Sequence, residues 1–236
     1  PINIGPIGVV GSTSANYAAK NADLVIAVGT RLQDFTTGSW TNFKRSTKFL
    51  NINTSRWDAN NHLSTPVVGD AKVCIEEILK EINNFKFESN WLNTTKAEFS
   101  KWNKLVDDLQ TPTNSPIPTY AQVVGLINKS AKPDTTMVTA AGGLPGEVSK
   151  GWKVKDLNTF DCEFGYSCMG YEISAGIGVN LATPNRPNVV FSGDGSYLMM
   201  NSELATAAMM GISMTLILTN NKGCLLYTSD AADELR

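Results

Sequence analysis

Two short apolar runs leave few folds open to the C-terminal half of this chain: residues 188–192 (Asn-Val-Val-Phe-Ser) and 214–219 (Met-Thr-Leu-Ile-Leu-Thr). Both are continuous rather than alternating, the pattern of strands covered on both faces of a parallel sheet. Parallel neighbours need a crossover. The intervening residues 197–210, rich in Leu, Met and Ala and closed by Gly211, read as its helix. The first run ends in Gly193-Asp194-Gly195-Ser196 and the second in Asn220-Asn221. Gly-Asp-Gly-Ser alone is an ordinary turn. Within a strand–turn–helix–strand–Asn-Asn series it places Asp194 and Asn221, 221 − 194 = 27 residues apart, at the tips of adjacent strands about 5 Å apart.

An acidic and an amide oxygen at that separation suit one hard cation held over the sheet edge. A diphosphate carried by the cation would lie against the helix that starts near Ser196, where free N–H groups and the helix dipole favour negative charge. Gly193 and Gly195 let the backbone come close to phosphate.

The rest of the chain reads as α/β. Residues 22–29 (Ala-Asp-Leu-Val-Ile-Ala-Val-Gly) form a buried strand and residues 49–53 another; residues 16–21 look like a helix end. A helix over 71–83 carries Val73, Ile75, Ile78, Leu79 and Ile82 on one side. An amphipathic helix over 86–110 precedes a proline-containing linker at 111–118, then a helix near 120–128 and a strand at 136–140. The expected architecture is two Rossmann-like parallel-sheet domains, bounded at 1–85 and 118–223 with 86–117 between them.

A net charge of −2 argues against nucleic acid as a partner, and no apolar run approaches the roughly 20 residues that cross a bilayer. Cys74, Cys162, Cys168 and Cys224 are scattered, which favours reduced thiols and a cytoplasmic setting over a disulfide frame. His62, the only histidine, sits in a polar stretch and reads as structural or solvent-facing. Residues 224–236 resemble the translation of a sequencing adapter and are expected to carry no biological information.

With these residues in view, the chain resembles thiamine-diphosphate enzymes of the acetolactate synthase and pyruvate decarboxylase superfamily. Residues 140–147 (Ala-Ala-Gly-Gly-Leu-Pro-Gly-Glu), 163–173 (Glu-Phe-Gly-Tyr-Ser-Cys-Met-Gly-Tyr-Glu-Ile), 193–203 and 5–11 narrow it to the branch of hydrolases that open polyol-derived cyclic diones in inositol catabolism. The resemblance implies a partial middle domain, a partial diphosphate-binding domain, and a pyrimidine-binding domain outside this chain. It implies thiamine diphosphate and Mg²⁺ as cofactors, a cyclic dione as substrate and a homo-oligomer as the working form. Carried over by position, Asp194 and Asn221 ligate Mg²⁺ through their side chains and Gly223 through its carbonyl. Gly193, Gly195 and Ser196 meet the phosphates, and Ala141, Gly142 and Gly143 approach from the other side. Met169 is the apolar wedge beneath the bent cofactor, and Ser167 offers a carbonyl to the pyrimidine amino group. Glu147, Glu163 and Glu172 are candidates for shaping a polyol pocket.

The cofactor's carbanion is expected to attack one carbonyl and break the bond between the two, with water then releasing an acid. The glutamate that activates the cofactor belongs to the other domain, so the polypeptide as given is expected to be inactive. Two alternatives use the same residues: another thiamine-diphosphate carboligase or decarboxylase, or a non-enzymatic α/β binding module in which Gly-Asp-Gly-Ser is only a turn.

Overall fold

The computed structural model describes residues 3–82, 89–140 and 142–223. The chain divides into two compact units, Pro1–Leu105 and Val106–Arg236.

In the first unit, α1 (Thr13–Asn21) is capped by the Ser12 side chain, which accepts from the Ala15 N–H. β1 (Leu24–Val28), α2 (Asp34–Thr37), β2 (Lys48–Asn53), α3 (Arg56–Asn60), β3 (Thr65–Val68) and α4 (Ala71–Glu81) follow. The three strands pair in parallel in the order β1-β2-β3. This parallel sheet carries the expected Rossmann-like pattern, with one correction. The run at 22–29 reads as a buried strand, whereas among the described residues β1 lies at an edge of the sheet and leaves Leu24, Ile26 and Val28 half exposed. The apolar side of α4 is likewise uncovered: none of its residues is buried among the described residues. Periodicity marks a face as apolar without saying what covers it.

A cavity of about 460 Å³ opens in this unit where Lys48 and Thr65 begin their strands. His62 packs there against Trp40, with ring centroids 4.3 Å apart and the rings tilted by 43°, and stays exposed, in keeping with its polar surroundings in sequence.

Helix α5 (Ser89–Gln110) runs from one unit into the next. The second unit continues with α6 (Tyr120–Ser130), β4 (Thr136–Thr139), α7 (Gly143–Gly151), β5 (Phe160–Cys162) and α8 (Tyr171–Ala182). It ends with β6 (Asn188–Gly193), α9 (Asp194–Met200), α10 (Glu203–Met209) and β7 (Thr215–Thr219). A capping box fixes the start of α6, with Thr119 accepting from the Gln122 N–H while the Gln122 side chain accepts from the Thr119 N–H.

The four strands are parallel in the order β5-β4-β6-β7. Every residue of β4, and every residue of β6 up to Ser192, is buried. The core joins Val124 of α6, Met137 of β4, Leu144, Val148 and Trp152 from and beside α7, and Val189 and Phe191 of β6. α8 packs tightly on this sheet because of Gly176, where a Cβ would sit 2.6 Å from Val190 Cγ2. Among the described residues β7 is the other edge strand, and it is more exposed than its apolar run suggests.

Candidate diphosphate and metal site

The strand order creates the site. From β4 the chain moves outward to β5, then returns to the opposite side of β4 for β6 and β7. The connections therefore diverge between β4 and β6, and open parallel sheets bind ligands at the carboxyl ends of the strands beside such a switch point. The segments that follow those ends begin at residues 140, 163, 194 and 220.

Register places two of them together. Gly193 pairs with Thr219 across β6 and β7, so Asp194 and Asn220 leave adjacent strand tips side by side. Thr219 Oγ1 donates to the Ser192 carbonyl at 3.4 Å, and Thr139 Oγ1 donates to the Phe191 carbonyl at 3.3 Å. Threonine hydroxyls thus tie the neighbouring tips to β6.

One N–H then gathers the candidate metal ligands. The Gly223 N–H donates to Asp194 Oδ2 at 3.0 Å and to Asn221 Oδ1 at 3.2 Å. Two oxygens that share one nitrogen at these distances lie at most 3.0 + 3.2 = 6.2 Å apart. Asp194 Oδ1 accepts from the Gly195 N–H at 3.1 Å, which keeps the carboxylate turned toward the loop after β7. Asp194 is part-exposed, whereas Asn221 and Gly223 are open to solvent. This all-oxygen donor set fits a hard cation that keeps several other ligands.

The glycines leave room on the same edge. A Cβ on Gly143, Gly193 or Gly223 would meet nothing within 4 Å. Gly142 adopts φ +124 and ψ −166, a conformation essentially restricted to glycine, and its carbonyl accepts the Gly146 N–H that opens α7. Ala141 lies outside the described residues, as do residues 224–236 with their expected adapter sequence. Ser196 is buried rather than lining open space.

One crossover differs from expectation. The single helix over 197–210 is two, α9 and α10, parted at Asn201-Ser202 by bonds from the Leu204 N–H to the Asn201 carbonyl and from the Ala205 N–H to the Ser202 carbonyl. Asn and Ser compete locally for backbone groups and favour such breaks. The first helix also starts earlier, at Asp194 rather than near Ser196.

The loop after β5 is held by Glu163. Its carboxylate accepts the Tyr166 N–H at 2.8 Å and the Cys168 N–H at 2.7 Å, and these bonds keep Glu163 below the usual carboxylate range. Between those anchors Ser167 takes φ +56, costly for a residue with a Cβ. Met169 is part-buried at the foot of this loop, and Gly170 at φ +88 starts α8. Nearby, burial foremost pushes the part-buried Cys162 thiol up to about 12, and its protonated sulfur donates to the Ala140 carbonyl. The Tyr171 hydroxyl donates to Asp161 at 2.8 Å.

A depressed carboxylate gives a signed prediction. The Glu163 clamp is present above the ordinary carboxylate range and is lost as pH falls through its lowered value. In Glu163→Ala, amide exchange at Tyr166 and Cys168 should quicken roughly tenfold at neutral pH, the share of about one hydrogen bond. Acid should do the same to wild type. Unchanged protection in the variant would mean the loop is held by other contacts.

Of the three glutamates, Glu147 pairs with Lys150 on α7 at 3.0 Å and Glu163 serves its own loop. Glu172 is 1 % exposed, so it does not face an open polyol pocket. What sequence reasoning missed is its burial and the Glu163 clamp, since neither leaves a periodic signal.

Residues 1–79 match the central domain of thiamine pyrophosphate enzymes, and residues 140–230 match their C-terminal TPP binding domain. Relatives named 3D-(3,5/4)-trihydroxycyclohexane-1,2-dione hydrolase are 37% identical over 94% of this chain. They include proteins of Clostridium botulinum, Clostridium perfringens and Halalkalibacterium halodurans, of which this chain covers 38%, 39% and 38% respectively. The chain thus spans under two fifths of the length of the curated relatives it matches. A parallel sheet with a switch point, strand tips that converge on Asp194 and Asn221, and both domain matches lead to one conclusion: this chain belongs to the thiamine pyrophosphate enzyme family.

Proposed function

We propose that the complete protein is a thiamine-diphosphate- and Mg²⁺-dependent hydrolase that opens the ring of 3D-(3,5/4)-trihydroxycyclohexane-1,2-dione to 5-deoxy-glucuronate during inositol catabolism. The single observation that carries the cofactor half of this reading is the convergence of Asp194 Oδ2 and Asn221 Oδ1 on one N–H at the end of β7. The name shared by the relatives supports the substrate.

In this reading Asp194, Asn221 and the Gly223 carbonyl hold the magnesium ion, and the Gly193–Ser196 and Gly142–Gly143 backbones receive the diphosphate. Met169 supports the cofactor from below, and the Ser167 carbonyl accepts from its amino group. Bound thiamine diphosphate supplies an electron sink for breaking the bond between the two carbonyl carbons. The chain's own part is to bind and orient that group at the sheet edge. The working form is a cytoplasmic homo-oligomer.

The test offers full-length protein the cyclic dione or pyruvate, with Mg²⁺ and thiamine diphosphate present. Acid release from the dione alone supports the hydrolase. Carbon dioxide or acetolactate from pyruvate, with no ring opening, replaces it by a decarboxylase or carboligase. Absence of Mg²⁺-dependent stabilisation by the cofactor would favour the binding module, since a ligand raises stability only by binding the folded state.

A further inference from the structure

Glu172 is an expensive residue for its position. It is the second residue of α8 and 1 % exposed, and its Oε2 reaches no hydrogen-bond partner among the described residues. Burial is the main cause that raises its carboxyl above the ordinary range. The Ser196 hydroxyl and the N–H groups of Glu172 and Gly170 lie near it and oppose this only in part. A well-packed apolar side chain would bury the same volume without an orphaned oxygen, and such replacements of buried ionisable groups are often neutral or stabilising.

Its partners show what the carboxyl joins. Gly170 follows Met169 and belongs to the loop after β5. Ser196 belongs to the Gly-Asp-Gly-Ser turn after β6 and is 6 % exposed. The two segments are pressed together, because a Cβ on Gly170 would lie 2.6 Å from Met200 Cγ of α9. Glu172 is thus a polar link between the segment carrying the apolar wedge and the segment carrying the diphosphate and metal groups.

We propose that Glu172 is a positioning residue for the cofactor: it anchors the Ser196 hydroxyl and so holds the Gly-Asp-Gly-Ser turn at a set distance from Met169 before the cofactor arrives. This rests on the cofactor reading above and assigns Glu172 no contact with the ligand. Its benefit is preorganisation, since a cradle already at its bound spacing loses less freedom on binding.

The experiment measures thiamine diphosphate affinity of the full-length protein by calorimetry at saturating Mg²⁺, together with the melting temperature without cofactor. Glu172→Gln keeps a carbonyl acceptor for Ser196 and should stay within a few-fold of wild type. Glu172→Leu fills the space without the acceptor and should weaken binding roughly 10- to 100-fold, as loss of supporting partners does at ligand sites. Its cofactor-free melting temperature should hold or rise. Adding Ser196→Ala to Glu172→Leu should cost nothing further, because both changes remove one interaction. If the leucine variant does not fold, Glu172→Ala takes its place in the cycle. Wild-type affinity in the leucine variant, additive losses, or a glutamine variant as weak as leucine would overturn the proposal while leaving the cofactor reading intact. Wild-type protein that binds no thiamine diphosphate would overturn both.

Discussion

Replacing Asp194 with alanine should weaken Mg²⁺-dependent binding of thiamine diphosphate by the full-length protein roughly 100-fold or more, about 2.8 kcal/mol at 1.4 kcal/mol per tenfold. Two losses act together. The cation loses its only anionic ligand in the proposed set, and the Gly195 and Gly223 N–H groups lose the carboxylate that positions both loops. Asp194→Asn separates them: it keeps an oxygen for those N–H groups but removes the charge, so its affinity should fall between wild type and alanine. Calorimetric titration with and without Mg²⁺ reads all three proteins. Cofactor affinity in Asp194→Ala equal to wild type would remove the metal site from this sheet edge.

The second large effect is on stability. Phe191→Ala should cost about 3–5 kcal/mol, the range for truncating a buried aromatic side chain. Phe191 is fully buried in the core of the second unit and meets Trp152 edge-on, with centroids 5.9 Å apart. Its carbonyl also accepts from Thr139, so the strand two residues before Gly193 is tied through it to β4. Truncation leaves that carbonyl in place, so cofactor binding should weaken only as far as the loosened core shifts the end of β6 beside Asp194. A cost below about 1 kcal/mol would mean that the core collapses around the gap, which the dense packing of interiors makes unexpected.

Legibility followed the range of the forces involved. Strand β6, its glycine turn and the Asn-Asn tip were readable because each depends on neighbours in sequence: continuous apolar residues, glycine freedom and a stop. Helix α7 was not readable as a full element. Gly-Leu-Pro-Gly-Glu-Val-Ser-Lys-Gly has poor helix propensity, and burial of Leu144, Pro145, Gly146 and Val148 overrides it. The three-residue strand β5 exists through its pairing with β4 and has too little pattern of its own.

The amino-acid order alone determined a parallel α/β chain with an acid and an amide at neighbouring strand tips, because local periodicity and turn chemistry act over a few residues. Tertiary structure alone decided the pairing order of the strands, the break between α9 and α10, and that Glu172 is buried. Those outcomes depend on which segments far apart in sequence exclude water from one another, and no local pattern records that.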